Sequence, residues 1–238
     1  MRVGVLSDVH ANLAGLEAAL AAMGHVDRLL FAGDMLGYYF DAPAVVRRFR
    51  DLRAECILGN HDLHFLAHLG LREELPPTIT PAAYRARYGP SLERAAAELS
   101  AEDVAWLATL STSRRLQLGG VQVLLVHGSP WRPTDEYIYP DHRAFERFGG
   151  IDADLVVMGH THRPLLRREG QVTLLNPGSC GQPRDGDRRV SFAVLDVEGA
   201  MLSVRLERAA WDPEPLLARC AELAPDVALP RELLTRTR

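Results

Sequence analysis

The 238-residue sequence predicts an α/β fold with right-handed crossovers between its strands. Three observations carry that expectation. Short apolar runs alternate with helical segments from residue 2 to residue 58. Each of these runs stops at aspartate, asparagine or histidine. The rhythm is interrupted once, between 63 and 110, and shorter strand-like runs follow.

Residues 2–7 (Arg-Val-Gly-Val-Leu-Ser) read as a short buried strand and 8–12 as a loop. From Leu13 to Met23, leucine and alanine recur at helical spacing, which completes a strand–loop–helix unit. A second apolar run, 26–32, ends at Gly33-Asp34, and 44–52 looks helical. A third strand, 54–58, ends at Gly59-Asn60-His61-Asp62. The segment 63–110 carries Pro76, Pro77 and Pro81, then alanine-rich helical stretches at 82–97 and 101–110. It reads as a helical insertion over one sheet edge, a candidate cap or dimer surface. Runs at 114–118 and 121–127 are strands joined by the hairpin signal Gly119-Gly120. Strands at 154–158 and 171–175 follow, then a hairpin of 190–197 and 201–208 that turns near Glu198-Gly199. Residues 213–223 suit a peripheral helix, and the arginine-rich end after 230 is expected to fray. No repeat or long linker divides the chain, so a single domain over 1–238 is expected.

Composition narrows the function classes. With 47% apolar and 24% charged residues the chain falls among ordinary globular domains, not disordered ones. A net charge of −4 gives no reason to propose a nucleic-acid or membrane surface. No apolar run reaches the roughly 18 residues that a membrane helix needs. Cys56, Cys180 and Cys220 form no CxxC pair, so neither a zinc knuckle nor a disulfide framework is signalled. A reducing, cytoplasmic setting fits best, and no signal peptide is visible before the first strand. All 27 basic side chains are arginine. The guanidinium fork suits phosphate oxygens, although GC-rich coding explains the bias more simply.

The polar residues cluster where strands stop. Asp8 and His10 follow the first strand, Asp34 the second, and Asn60, His61 and Asp62 the third. His127 follows a later strand, and His160 and His162 follow Leu155-Val156-Val157-Met158-Gly159. In α/β sheets the crevice beyond the carboxyl ends of strands is where ligands bind. Carboxylate with imidazole suits transition ions such as manganese, iron, zinc or nickel. Glycines 33, 59, 128 and 159 stand beside these residues, where backbone must pass close. Taken singly, Asp8 reads as a helix cap, Asn60 as a turn residue and His-x-His as surface histidines. Taken together, at five strand ends, they read as a metal centre.

At these residues the sequence resembles a known family. Asp8-Val9-His10, Gly33-Asp34, Gly59-Asn60-His61-Asp62, His127 and Gly159-His160-Thr161-His162 are similar to the five motif blocks of calcineurin-like metallophosphoesterases, in the same order, across 2–197. Three further stretches resemble the bacterial YfcE-type phosphodiesterase branch. They are Ser7-Asp8-Val9-His10-Ala11-Asn12-Leu13, His127-Gly128-Ser129-Pro130, and Asn176-Pro177-Gly178-Ser179 with Gly181-Gln182-Pro183-Arg184.

The resemblance implies a four-layer α-β-β-α sandwich of two mixed sheets. It implies that Asp8, His10 and His162 hold one metal, that Asn60, His127 and His160 hold a second, and that Asp34 bridges both. Manganese is the expected ion, with iron, zinc or nickel as alternatives. Two ions about 3.5–4 Å apart share a hydroxide that attacks phosphorus. His61 is implied on the substrate side, and Asp62 is expected to orient its ring. The substrate is a small phosphate ester or nucleotide-like molecule.

Arg163, Arg184 and Asn12 are candidate substrate contacts, with a salt bridge for Arg184 and a helix cap for Asn12 as plainer roles. Trp131, Tyr137 and Tyr139 are a candidate aromatic wall, or packing. His64 and His68 read as solvated or capping residues, His64 being within reach of the cleft. Protein phosphatases of this superfamily carry an Asp-Arg-Gly turn after the second block. Here Asp34 is followed by Met35-Leu36-Gly37-Tyr38-Tyr39, which argues against that branch. The leading expectation is a phosphodiesterase. The alternatives are a phosphomonoesterase or nucleotide phosphatase at the same residues, or a non-catalytic scaffold, with a homo-oligomer left open.

Overall fold

The computed structural model describes residues 1–72 and 79–235. The chain opens with β1 (Arg2–Leu6), α1 (Leu13–Met23), β2 (Arg28–Phe31), α2 (Ala42–Asp51) and β3 (Glu55–Cys56). Four helices follow: α3 (Asn60–His68), α4 (Pro81–Tyr88), α5 (Ser91–Glu98) and α6 (Ala101–Thr109). Then come β4 (Ser113–Leu118), β5 (Val121–Val126), a 3-10 helix (Phe145–Gly150), β6 (Leu155–Val157), β7 (Leu165–Glu169) and β8 (Val172–Asn176). The chain closes with β9 (Val190–Glu198), β10 (Met201–Ala209), α7 (Glu214–Leu223) and α8 (Leu229–Thr235).

Two mixed five-stranded sheets result, in the orders β10-β9-β1-β2-β3 and β4-β5-β6-β8-β7. In the first, β1 runs parallel to β2 and β2 to β3, with β9 antiparallel to β1. In the second, β5, β6 and β8 are parallel, and β4 and β7 are antiparallel additions at the two edges. Alternation along the strands splits the core into layers. Val3, Val5, Leu30 and Ile57 of the first sheet pack with Val123, Leu125, Leu155 and Val157 of the second. Leu6 and Phe31 point the other way, into the layer of α1 and α2 with Leu16, Val45 and Phe49. The outer face of the second sheet is covered by Phe145 and Phe148 of the 3-10 helix and by Ile138. Burying each such Leu, Val or Phe stabilises the fold by about 1.5–3 kcal/mol.

The structure departs from the expected elements at several points. The stretch at 82–97 is two helices, because Gly89 with φ 82° and Pro90 end α4. The helix α3 begins at Asn60 itself, inside the motif at which the third strand was expected to end. The strand β7 was not anticipated: Leu166, Arg167 and Arg168 are exposed, so an edge strand there carries little apolar signal. The end after 230 does not fray through Thr235. Pro230 and Leu234 are buried, and the Tyr39 hydroxyl donates to the Pro230 carbonyl at 3.2 Å. Pro76 and Pro77 lie outside the described residues. No helix among the described residues is long and apolar enough to cross a membrane.

Candidate metal centre

The turns after β1, β2, β3, β5 and β6 meet at one place between the two sheets. Backbone hydrogen bonds tie them together: Asp8 N–H to the Gly33 carbonyl at 3.0 Å, His10 N–H to Asp34 at 3.0 Å, and Gly159 N–H to His127 at 2.8 Å. The turns are tight enough to force left-handed backbone on residues that resist it. Asp8, His10, Asp34, His160 and His162 have φ of 55°, 50°, 64°, 68° and 57°. Such strain, of order 1–3 kcal/mol per residue, persists where the surrounding structure over-determines it, and it clusters at functional sites. Two glycines make the approach possible. A Cβ on Gly59 would stand 2.1 Å from Asp34 Oδ1, and one on Gly159 would stand 2.1 Å from Ser7 Oγ and 2.9 Å from Asp8 Oδ2.

All five expected histidine and aspartate strand ends converge. Asp8, His10 and His162 bring ligand atoms within 4.8 Å of one another, and so do Asp34, His127 and His160. A third grouping, His10, Asp34 and His61, links the two. Asp34 Oδ2 lies 3.7 Å from His10 Nε2 and 3.3 Å from His127 Nε2, so one carboxylate oxygen reaches both halves. Asn60 Oδ1 lies 3.2 Å from His127 Nε2.

The donor set fits a cation. His10 Nδ1 is 3.0 Å from the Leu36 carbonyl, His162 Nδ1 is 2.7 Å from the Gln182 carbonyl, and His127 Nδ1 is 2.8 Å from the Ala32 carbonyl. A carbonyl only accepts, so each Nδ1 carries a proton, and the neutral rings of His10 and His162 turn an Nε2 lone pair inward. The two lone pairs of His10 and His162 then face each other at 3.1 Å. His160 Nε2 is buried and has no hydrogen-bond partner. Lone pairs crowded in this way call for a positive centre.

Electrostatics agree. Burial holds the His10 imidazole down at about 4 and that of His160 at about 3, which keeps both neutral. Burial also holds His162 and His61 well below the usual histidine range. It pushes the Asp8 carboxyl up to about 7, against the pull of His127. At His127 burial alone would favour the neutral ring, but attraction to Asp34 outweighs it and raises the group to about 9. Burial likewise disfavours the Asp34 carboxylate, yet His127 prevails and holds it well below the carboxylate range. Without a cation the centre keeps a proton on His127 as its counter-charge.

The remaining expected residues separate. The His61 ring lies 5.0 Å from that of His10 and is buried. Asp62 does not orient it. Asp62 accepts instead from the backbone N–H of Asp34 at 2.9 Å, Leu36 at 2.9 Å and Gly59 at 3.0 Å, so it is spent on holding the Asp34 turn. The Tyr84 hydroxyl, 2.6 Å from His61 Nδ1, pins the ring instead. Asn12 takes the plainer role of a helix cap: it is fully buried, its Oδ1 caps α1 at Gly15 N–H (3.0 Å), and its Nδ2 donates to the Gly181 carbonyl.

Arg184 donates to the Tyr38 hydroxyl at 2.9 Å and to Gln182 Oε1. It has no carboxylate partner among the described residues, so the alternative of a salt bridge falls away. Its neighbour Asp185 pairs with Arg208. Arg163 is exposed, with its guanidinium over Tyr139. Trp131 packs on Phe148 under Arg147, away from any wall, whereas Tyr137 stacks on His160 at 3.8 Å and on Tyr139 at 5.7 Å. His64 is half-buried, 6.2 Å from the His61 ring, and His68 is exposed. Sequence reasoning missed Tyr84 and the carbonyls of Ala32, Leu36 and Gln182. Backbone acceptors leave no mark in a sequence, and Tyr84 showed only as an aromatic in an alanine-rich helix.

Comparison with known proteins agrees with this geometry. A family model for the calcineurin-like phosphoesterase superfamily domain matches residues 1–200. A metallophosphoesterase from Sphaerobacter thermophilus, known from its crystal structure, is 32% identical, with 100% of this chain and 98% of that chain covered and a TM-score of 0.76. An uncharacterized protein from Methanocaldococcus jannaschii is 29% identical over 218 residues, 82% of either chain. Phosphodiesterase YfcE from Escherichia coli is 25% identical over 179 residues, 71% of this chain and 87% of its own.

Proposed function

The chain belongs to the calcineurin-like phosphoesterase superfamily, and from that premise we propose that it is a phosphodiesterase working with two divalent ions. The observation that carries the reading is the inward set of Nε2 lone pairs, His10 against His162 at 3.1 Å with His160 unpartnered. Asp8, His10 and His162 hold one ion, Asn60, His127 and His160 the other, and Asp34 serves both. Mixed oxygen and nitrogen donors suit manganese, with iron, zinc or nickel also accommodated. When bound, the pair supplies charge to neutralise phosphate oxygens and to lower the pKa of a water.

The protein's own residues do the rest. Backbone carbonyls hold three of the imidazoles in one tautomer, so no reorganisation precedes the reaction. His61 stays neutral and buried. With the Tyr84 hydroxyl donating into Nδ1, the His61 proton sits on Nε2, where it donates a hydrogen bond to the leaving oxygen and stabilises the charge that builds there. Arg184, free of carboxylates, takes a non-bridging phosphate oxygen. A cavity of about 870 Å³ beside the centre leaves room for a second ester substituent, which favours a diester over a monoester. Three buried free cysteines suit a reducing, cytoplasmic setting.

Metal analysis of the purified protein, with turnover of bis(4-nitrophenyl) phosphate against 4-nitrophenyl phosphate, tests the reading. Diester preference is expected. Asp34→Ala is expected to lower kcat by more than about a hundredfold, since even outer-shell partners of metal ligands cost about that much. Unchanged turnover in Asp34→Ala removes the two-ion reading, and a monoester preference replaces the diesterase with a phosphatase.

A further inference from the structure

The cavity beside the centre is lined by none of the proposed metal ligands. Its volume of about 870 Å³ lies within the range of about 300–1,000 Å³ seen for small-molecule sites. Tyr139, Pro164, Pro183 and Leu233 give it apolar surface, and Arg163 and Arg184 give it guanidiniums. Leu233 belongs to α8, beyond residue 200 where the family match stops.

The aromatic element is fixed rather than loose. Tyr137 and Tyr139 stack with an interplanar angle of 8°, and Tyr137 in turn stacks on His160 at 28°. Yet Tyr137 is 47% exposed and Tyr139 38% exposed. Two large rings held in register and left to solvent next to a reactive centre mark a binding surface. The Arg163 guanidinium lies 5.5 Å from the Tyr139 ring centroid, which puts a cation at the edge of the aromatic surface. Neither Arg163 nor Arg184 has a carboxylate partner among the described residues, so the cavity favours an anionic ligand. A bare sugar would need more hydrogen-bonding side chains than Thr161 offers here, because Asp185 is already paired with Arg208.

Resting on the phosphodiesterase reading above, we propose that this cavity seats the organic group of the substrate. That group carries a flat ring of nucleobase size, which stacks on Tyr139 while Arg184 holds the phosphate. The stack extends from His160 through Tyr137 to Tyr139, so it runs from a residue of the centre to the cavity wall.

Calorimetric binding to the manganese-loaded protein compares thymidine 5′-monophosphate with deoxyribose 5-phosphate, which carries a hydroxyl at C1 in place of the base. Stacking of a base on an aromatic side chain predicts about tenfold tighter binding of the nucleotide. Tyr139→Ala brings the ratio close to one, and Tyr139→Phe keeps it. Equal affinity in the unaltered protein overturns the proposal, and so does a ratio that survives Tyr139→Ala. If bis(4-nitrophenyl) phosphate is turned over but the ratio is near one, only the cavity assignment falls. If neither ligand binds and no diester is cleaved, the phosphodiesterase reading falls and takes this proposal with it.

Discussion

Tyr84→Phe is the most informative substitution, because it removes one oxygen and leaves the ring. The Tyr84 hydroxyl is buried and lies 2.6 Å from His61 Nδ1, so its loss leaves a buried ring nitrogen without a partner. Such a loss costs about 1–3 kcal/mol. In a chain of this size that lowers Tm by a few degrees. The effect on catalysis differs in kind. Without the hydroxyl, the Nε2–H tautomer of His61 is no longer enforced, and the ring is free to turn toward Tyr38 and Tyr88, which it already touches at 4.8 and 5.2 Å. A preorganised hydrogen bond to developing charge contributes roughly a hundredfold or more, and loss of its orientation forfeits part of that. We expect kcat to fall roughly tenfold to hundredfold with KM nearly unchanged. The fall should be larger for an alkyl leaving group than for nitrophenolate, which leaves without a proton. Steady-state rates on methyl and 4-nitrophenyl diesters, with a thermal melt of the same variant, measure all three quantities. A drop in Tm with equal loss on both substrates, or with no loss of kcat, would falsify the positioning role.

Other outcomes follow from the same geometry. Asp62→Ala leaves the N–H groups of Asp34, Leu36 and Gly59 unpaired and should cost about 3 kcal/mol or more. Metal affinity should weaken in parallel, and an unaltered melt and metal titration would count against it. Asn12→Ala removes the α1 cap and should cost about 1 kcal/mol while leaving KM for any diester where it was, a large rise in KM restoring Asn12 as a substrate contact. Metal uptake should release protons at pH 7, since Asp34, outweighing burial, holds His127 up at about 9 and burial holds Asp8 up to about 7. Both groups must lose their protons to bind, so affinity rises with pH and levels off above about 9. His10 and His160, already neutral above about 4, release none. Titration calorimetry in buffers of different ionisation enthalpy reads the release, and a pH-independent affinity between 6 and 9 would contradict the assignment.

The left-handed backbone at Asp8, His10, Asp34, His160 and His162 links these expectations. Strain in these three ligand-bearing turns is offset by the two sheets, whose shared core of Val3, Val5, Val123 and Val157 fixes where the strands end. A cation gripped by the same residues should therefore raise Tm as well as support turnover, because binding to the folded state alone shifts the unfolding equilibrium.

The sequence by itself determined the α/β alternation, the position of α1 to the residue, and the convergence of Asp8, His10, Asp34, Asn60, His127, His160 and His162. Those features are local. Apolar runs mark strands, and a polar residue just past a strand's end has its place fixed by the strand. The tertiary structure alone decided what each polar group does once there. It gave Asp62 to the backbone of the Asp34 turn instead of to His61, drew Tyr84 onto His61 from a helix read only as an insertion, and brought Leu233 of α8 to the cavity. It also set the tautomers of His10, His127 and His162 through carbonyls of Leu36, Ala32 and Gln182. A carbonyl is the same in every residue, so a hydrogen bond to one depends on where the chain passes in space, and no pattern of side chains along the sequence records it.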